Sequence, residues 1–237
     1  MSTELLFREE PYATTFEAEV IAADAGTVVL DRTLFYPQGG GQPGDAGALQ
    51  LADGTSLRVT DARKDDGGAV VHILAETDPV PAPGTRISGE IDWSTRYPHM
   101  RMHTCMHLLS VAIPAPVTGG SVSATKGRLD FDLPDSTLDR ETVTEALNRL
   151  IEADHPVTSE WITEAELAAQ PELVKTMSVQ PPGGTGHIRL VRIGDIDLQP
   201  CGGTHVARTG EIGRVRVAKI EKKSRHNRRV NVVFDED

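Results

Sequence analysis

CGGTHV, Cys201–Val206, makes chemical sense beside a second stretch, HTCMH, His103–His107, which begins 98 residues before Cys201. The earlier stretch lies within RYPHMRMHTCMHLLSVAI, where apolar residues recur at helical spacing and predict a helix of roughly four turns. Residues four apart share a helix face, so His103 and His107 point the same way, and His99 continues that stripe one turn earlier. Cys105 sits two residues on from His103, about 200° around the helix, and is assigned to the core. Cys201 is assigned as the metal ligand. Gly202 and Gly203 predict a tight turn that lets the Cys201 thiolate and the His205 imidazole fold toward one point. Three imidazoles and a thiolate suit zinc, whereas calcium and magnesium prefer oxygen. Either pair alone is weak, because core packing produces many HxxxH spacings.

A longer set of residues carries a resemblance. HTCMHLL and CGGTHVARTGEIG resemble the paired metal motifs of the alanyl-tRNA synthetase editing domain and its free-standing relatives, the alanyl-tRNA editing proteins. FYPQGGGQPGDAG, Phe35–Gly47, is similar to the glycine-rich motif of the longer free-standing forms. GRLDFDL and the basic tail KIEKKSRHNRRVNVVF follow in the family's order, so the resemblance spans nearly the whole chain.

The resemblance implies an α+β fold. Residues 1–92 are expected to form a small β-barrel with a glycine-rich loop. Residues 93–237 are expected to form a two-layer α/β editing domain of the threonyl/alanyl-tRNA synthetase second-additional-domain type. It implies Zn2+ held by His103, His107, Cys201 and His205. The implied activity is that of a carboxylic ester hydrolase, which deacylates tRNA(Ala) mischarged with serine or glycine and supports translational fidelity. Thr104 and Gln42 are the candidate catalytic residues, Thr104 as a sensor of the serine hydroxyl together with the glycine-rich loop, or else as a core threonine bonded to its own helix backbone. A site that must spare alanine should reward that hydroxyl, since a buried polar group left unpaired costs about 1–3 kcal/mol. Gly39, Gly40, Gly41, Gly202, Gly203 and Thr204 are the candidate substrate contacts. Two alternatives stand beside this one: a non-catalytic zinc-stabilised tRNA-binding module, and an editing hydrolase for another amino acid such as threonine.

Charge needs an explanation. The 237 residues carry 24 Lys and Arg against 35 Asp and Glu, a net charge of −11 that disfavours RNA. Yet Arg214, Arg216, Lys219, Lys222, Lys223, Arg225, Arg228 and Arg229 fall within sixteen positions that hold one acid, Glu221. Such a surface can bind phosphates whatever the total, and Lys222, Lys223, Arg225, Arg228 and Arg229 are the candidate tRNA contacts. The plainer alternative is a solvated charged hairpin. Two cysteines argue against a disulfide scaffold, and no apolar run approaches the roughly 20 residues of a membrane span. No signal peptide is read at the N-terminus, and a cytoplasmic monomer acting in trans is expected. The chain lacks a lysine-bearing phosphate loop, so no nucleotide cofactor is expected.

Along the chain, TTFEAEVIAAD, GTVVLD, GTSLRVTDAR, AVVHIL and RISGEIDW read as short barrel strands bounded by turn residues. Gly39, Gly40 and Gly41 interrupt them as a loop, where Gln38 or Gln42 offers an amide. SVSATKGRLDFDL reads as two strands meeting near Lys126 and Gly127. LDRETVTEALNRLIEAD is an amphipathic helix capped by Asp139, with Leu138, Val143, Ala146, Leu147 and Leu150 on one face. HPVTSEWIT is a strand, TEAELAAQP a short helix, and Gln180–His187 a loop. HIRLVRIGDIDLQP gives two strands that deliver Cys201. GRVRVAKIEKK and NRRVNVVF close the chain as a hairpin with its basic residues outside.

Overall fold

The computed structural model describes residues 2–134, 138–175 and 186–235. Most of the predicted loop before His187 lies outside these residues. The chain divides into two compact units, Met1–Tyr97 and Pro98–Asp237.

The first unit is the predicted barrel. Its strands are β1 (Thr15–Asp24), β2 (Thr27–Leu30), β3 (Gly47–Leu51), β4 (Ser56–Lys64), β5 (Val70–Leu74) and β6 (Arg86–Ile91). They close in the order β1-β2-β5-β4-β3-β6, and every pairing is antiparallel. Alternation explains the interior: Phe16, Ala18 and Val20 point inward from β1, to join Val28, Leu30, Leu57, Val59 and Ile87. Closure leaves no edge strand to protect.

The glycine-rich segment is a built turn. Gly39 and Gln42 exchange backbone hydrogen bonds of 3.1 and 2.9 Å, and Gly40 and Gly41 adopt φ of 55° and 82°. Two successive positive-φ residues inside a two-residue hairpin demand glycine, which accounts for the motif locally. The base of the turn is pinned. Asp45 Oδ2 accepts from the Tyr36 amide at 2.7 Å and pairs with Arg96, and both charged side chains are buried. Arg96 also donates to the Leu34 carbonyl at 2.5 Å.

Helix α1 (Trp93–Ala112) contains HTCMH and runs about five and a half turns, longer than the four predicted. Within the second unit follow β7 (Val117–Val122), β8 (Lys126–Asp132), α2 (Arg140–Glu152), β9 (Val157–Thr163), α3 (Glu164–Ala168), β10 (His187–Ile193), β11 (Asp197–Pro200), β12 (Val215–Lys222) and β13 (Asn227–Phe234). One antiparallel sheet has the order β12-β13-β8-β7 and the other β9-β10-β11. α1 packs close to β8. A Cβ on Gly127 would lie 2.7 Å from Met106 Sδ and 2.8 Å from Met102 Sδ.

Asp139 caps α2 as expected, accepting from the Thr142 amide at 2.8 Å. The buried face of α2 is Val143, Leu147, Asn148 and Ile151, rotated from the predicted one. The cause is Asn148, which binds both the amide and the carbonyl of Val215 and so fastens α2 to β12.

Candidate metal centre

His103 and His107 project from α1 one turn apart, and Cys201 and His205 follow the end of β11. The loop that carries them is held by β10: Arg189 Nη1 donates to the carbonyls of Cys201 and Gly203 at 3.1 and 2.9 Å, and the Cys201 amide donates to the Arg189 carbonyl. Neither Gly202 nor Gly203 has a positive φ, so the chain brings the Cys201 thiol within 3.3 Å of His205 Nε2 with ordinary backbone angles. Packing within the protein does not demand glycine at Gly202 either, since a Cβ there would meet nothing within 4 Å.

One ligand atom from each of His103, His107, Cys201 and His205 lies within 4.8 Å of the others, and the group could hold a metal ion. Cys201 Sγ is 3.3 Å from His205 Nε2 and 3.6 Å from His103 Nε2. Tetrahedral bonds of about 2.0–2.3 Å place donor atoms roughly 3.3–3.6 Å apart, so these two spacings already suit a small divalent cation. The three imidazoles are buried and the thiol is half-buried. Cys105 is fully buried, and burial pushes its thiol up to about 12, as suits a core residue. His99 is buried outside the cluster.

The electrostatics come from residues the motifs did not advertise. Asp197 Oδ2 accepts from His107 Nδ1 at 3.0 Å, while Lys175 Nζ and Gln199 Nε2 hold the same carboxylate at 2.5 and 2.7 Å. Burial alone would lower His107, but the Asp197 bond and the neighbouring Cys201 outweigh it and raise the imidazole to about 9. Burial would raise Asp197; the His107, Lys175 and Gln199 contacts instead hold it at about 2. Burial also opposes ionisation of Cys201, yet the surrounding histidines keep its thiol well below the ordinary value. His205 goes the other way, pulled by burial to about 3. Strand alternation was the available signal for Asp197. Residues 197, 199 and 201 fall on one face, and a carboxylate there lies in step with the ligand.

The other predicted contacts differ in exposure. Thr104, expected to read a substrate hydroxyl, is fully buried, and its oxygen is engaged by Met100, His205 and Val206. Gln42 is buried, so its amide is not displayed to solvent. Gly40 and Gly41 are exposed and Gly39 half-buried, whereas Gly203 and Thr204 are buried beside the ligands. The closing hairpin forms as predicted, but not all its basic residues face outward. Arg228 is buried and donates to the carbonyls of Ser224, Asn227 and Pro134. Arg229 grips Asp130 through both carboxylate oxygens. Lys223 pairs with Glu221, while Lys222 and Arg225 are exposed and enter no ion pair among the described residues.

Comparison with known proteins defines the class first. Residues 188–231, which include the CxxxH segment, match the family described as the threonyl and alanyl tRNA synthetase second additional domain. Residues 6–95, the barrel, match that described as tRNA synthetases class II (A). The chain is thus related to the aminoacyl-tRNA synthetases. It is 36% identical over 96% of its length to an alanyl-tRNA editing protein of Methanosarcina acetivorans, of which 97% is covered. It is 32% identical to one of Saccharolobus solfataricus, with 96% of this chain and 97% of that one covered. An alanine–tRNA ligase of Archaeoglobus fulgidus is 35% identical over 93% of this chain, which spans 24% of the ligase. The chain belongs to the alanyl-tRNA editing protein family.

Proposed function

We propose that this chain is a zinc-dependent hydrolase that removes serine or glycine from mischarged tRNA(Ala), acting in trans as a cytoplasmic monomer, with residues from Trp93 onward forming a two-layer editing domain of the second-additional-domain type. One observation carries the proposal. Four nitrogen and sulfur donors from two segments 98 residues apart converge within 4.8 Å, in a chain whose relatives over nearly their full length are named alanyl-tRNA editing proteins. Family membership supports tRNA editing, and the donor set supports zinc.

The donors fit that ion. Three imidazoles and a thiol favoured as thiolate match a borderline-soft cation and disfavour calcium or magnesium. His103, His107, Cys201 and His205 would hold it, and when bound it supplies Lewis acidity toward an ester carbonyl or a water. The remaining work falls to the chain. An aminoacyl ester is already reactive, so positioning supplies much of the rate. The open space at Gly202, beside the half-buried thiol, leaves room for a substrate to approach the cluster. The exposed turn at Gly40 and Gly41 offers backbone that an RNA end can approach without side-chain interference. Lys222, Lys223 and Arg225 at the hairpin tip provide phosphate contacts.

Incubating the purified chain with Ser-, Gly-, Thr- and Ala-tRNA(Ala) and counting residual ester tests the proposal. Hydrolysis of the first two is expected, with Ala-tRNA(Ala) spared and activity lost in His103→Ala and Cys201→Ala. Binding to every tRNA without hydrolysis would leave a zinc-stabilised RNA-binding module instead. Preferential hydrolysis of the threonyl ester would reassign the substrate.

A further inference from the structure

Thr104 stands between the two ligands of HTCMH, yet its hydroxyl faces a ligand from the other segment. Its side chain is fully buried. Oγ1 lies 2.9 Å from the Met100 carbonyl, 3.1 Å from His205 Nδ1 and 3.3 Å from the Val206 amide nitrogen.

A hydroxyl has one proton and two lone pairs. The Met100 carbonyl can only accept, so it takes the Thr104 proton. The Val206 amide can only donate, so it takes one lone pair. The other lone pair is left facing His205 Nδ1, and an oxygen that has given away its proton can bind that nitrogen only if the nitrogen carries one. The hydrogen on Nδ1 leaves Nε2 as the free donor atom of a neutral ring. Nε2 is the atom turned toward Cys201, 3.3 Å from Sγ. His107 Nδ1 likewise carries a hydrogen, because it faces a carboxylate that can only accept, so Nε2 is the nitrogen left to bind a metal once its own proton is displaced.

We infer that Thr104 is a positioning residue: it fixes the Nδ1–H tautomer and the ring angle of His205, so that His205 offers Nε2 to the metal, and it does not read the substrate. The inference rests on the proposed metal site. Its chemistry is that of an outer-shell partner, whose loss typically weakens metal binding about 10–100-fold. A hydroxyl also suits this place because Thr104 and His205 belong to separate segments. The contact therefore joins the helical half of the cluster to the loop half, and the Val206 amide closes the same joint.

Two measurements on the full chain test this. Nitrogen-15 NMR of the metal-free protein reads the His205 tautomer directly. The Nδ1–H form is expected in the wild type and in Thr104→Ser, and a shift toward Nε2–H is expected in Thr104→Val, which keeps the shape and loses the oxygen. Competition with a chromophoric chelator then reads zinc affinity. A 10–100-fold loss is expected in Thr104→Val, with recovery to within about threefold of wild type in Thr104→Ser. The serine variant keeps the test decisive if the valine variant folds poorly. An Nε2–H tautomer in the wild type, or equal zinc affinity in the valine and wild-type chains, would overturn the role of Thr104. Failure of the wild type itself to bind zinc would sink the metal site, and the NMR arm distinguishes that result from a wrong tautomer.

Discussion

The barrel and the cluster each bury histidine, and they treat it differently. In the barrel, His72 is fully buried with both ring nitrogens matched inside the protein: Nδ1 lies 3.2 Å from the Val28 carbonyl and Nε2 2.8 Å from Thr33 Oγ1. In the cluster, His107 and His205 each have one nitrogen anchored, by Asp197 or Thr104, and the other turned toward a thiol. A buried ring matched at both ends is a structural tie. A buried ring anchored at one end, with its other nitrogen aimed at further donor atoms, is placed to serve as a ligand. The distinction rests on where each nitrogen goes, since burial is nearly the same in both places.

Exchanging the same substitution between the two regions gives the largest effect. His205→Leu is expected to weaken zinc binding by more than about a hundredfold, beyond the usual loss from an outer-shell partner. His72→Leu is expected to leave zinc stoichiometry at the wild-type value by elemental analysis. Loss of metal in His72→Leu with a native circular dichroism spectrum would erase the contrast.

The next effect is on stability against pH. Burial, only partly opposed by the Val28 bond, lowers His72 to about 4 from the ordinary 6.5. The unfolded chain therefore takes up a proton that the folded chain refuses between those values. Stability from this group is intact above about pH 6.5, declines as pH falls, and is lost by about pH 4, roughly 3 kcal/mol in all. Urea titrations at pH 8 and pH 5 should show the wild type losing about 2 kcal/mol more than His72→Leu over that interval. Equal losses would mean that His72 is protonated in the fold. At pH 8 the same variant should be less stable than wild type by about 1–3 kcal/mol, because Thr33 and Val28 keep buried polar atoms without their partner.

Much of this was legible in the sequence. The period-2 alternation of TTFEAEVIAAD and its neighbours marks the barrel strands, and the i, i+4 spacing of His103 and His107 marks half the cluster. Cys105 is separable from Cys201 by helix angle alone. Long-range polar pairing is what local pattern does not carry. Nothing local says that Asn148 will grip Val215 and rotate the buried face of α2, and the alternation that puts Asp197 in step with Cys201 does not name His107 as its partner. Thr104 is conspicuous by its position between His103 and His107, but nothing local says that its hydroxyl will face a histidine 101 residues away. Gly202 and Gly203 suggest unusual backbone angles, and the structure uses ordinary ones.

The same test of engaged against available groups applies at the basic hairpin, where the expected effect is smallest. Composition offers eight equivalent positive charges, but the fold makes them unequal. Arg228 is buried against backbone carbonyls and Arg229 is clasped by Asp130, so both behave as His72 does. Lys222 and Arg225 sit exposed at the tip without an ion pair among the described residues, and Lys223 pairs with the half-buried Glu221. Reversing Lys222, Lys223 and Arg225 to Glu should raise KM for mischarged tRNA several-fold, with kcat unchanged. It should also flatten the dependence of log affinity on log salt, by up to about 0.9 for each phosphate no longer neutralised. Arg229→Gln should instead lower the melting temperature, because it abandons the Asp130 carboxylate on β8, and should leave the salt slope alone. A triple reversal that changes neither KM nor the slope would make the hairpin tip a solvated surface. An Arg229 variant that changes the slope without changing stability would show that pairing with Asp130 does not remove that guanidinium from RNA binding.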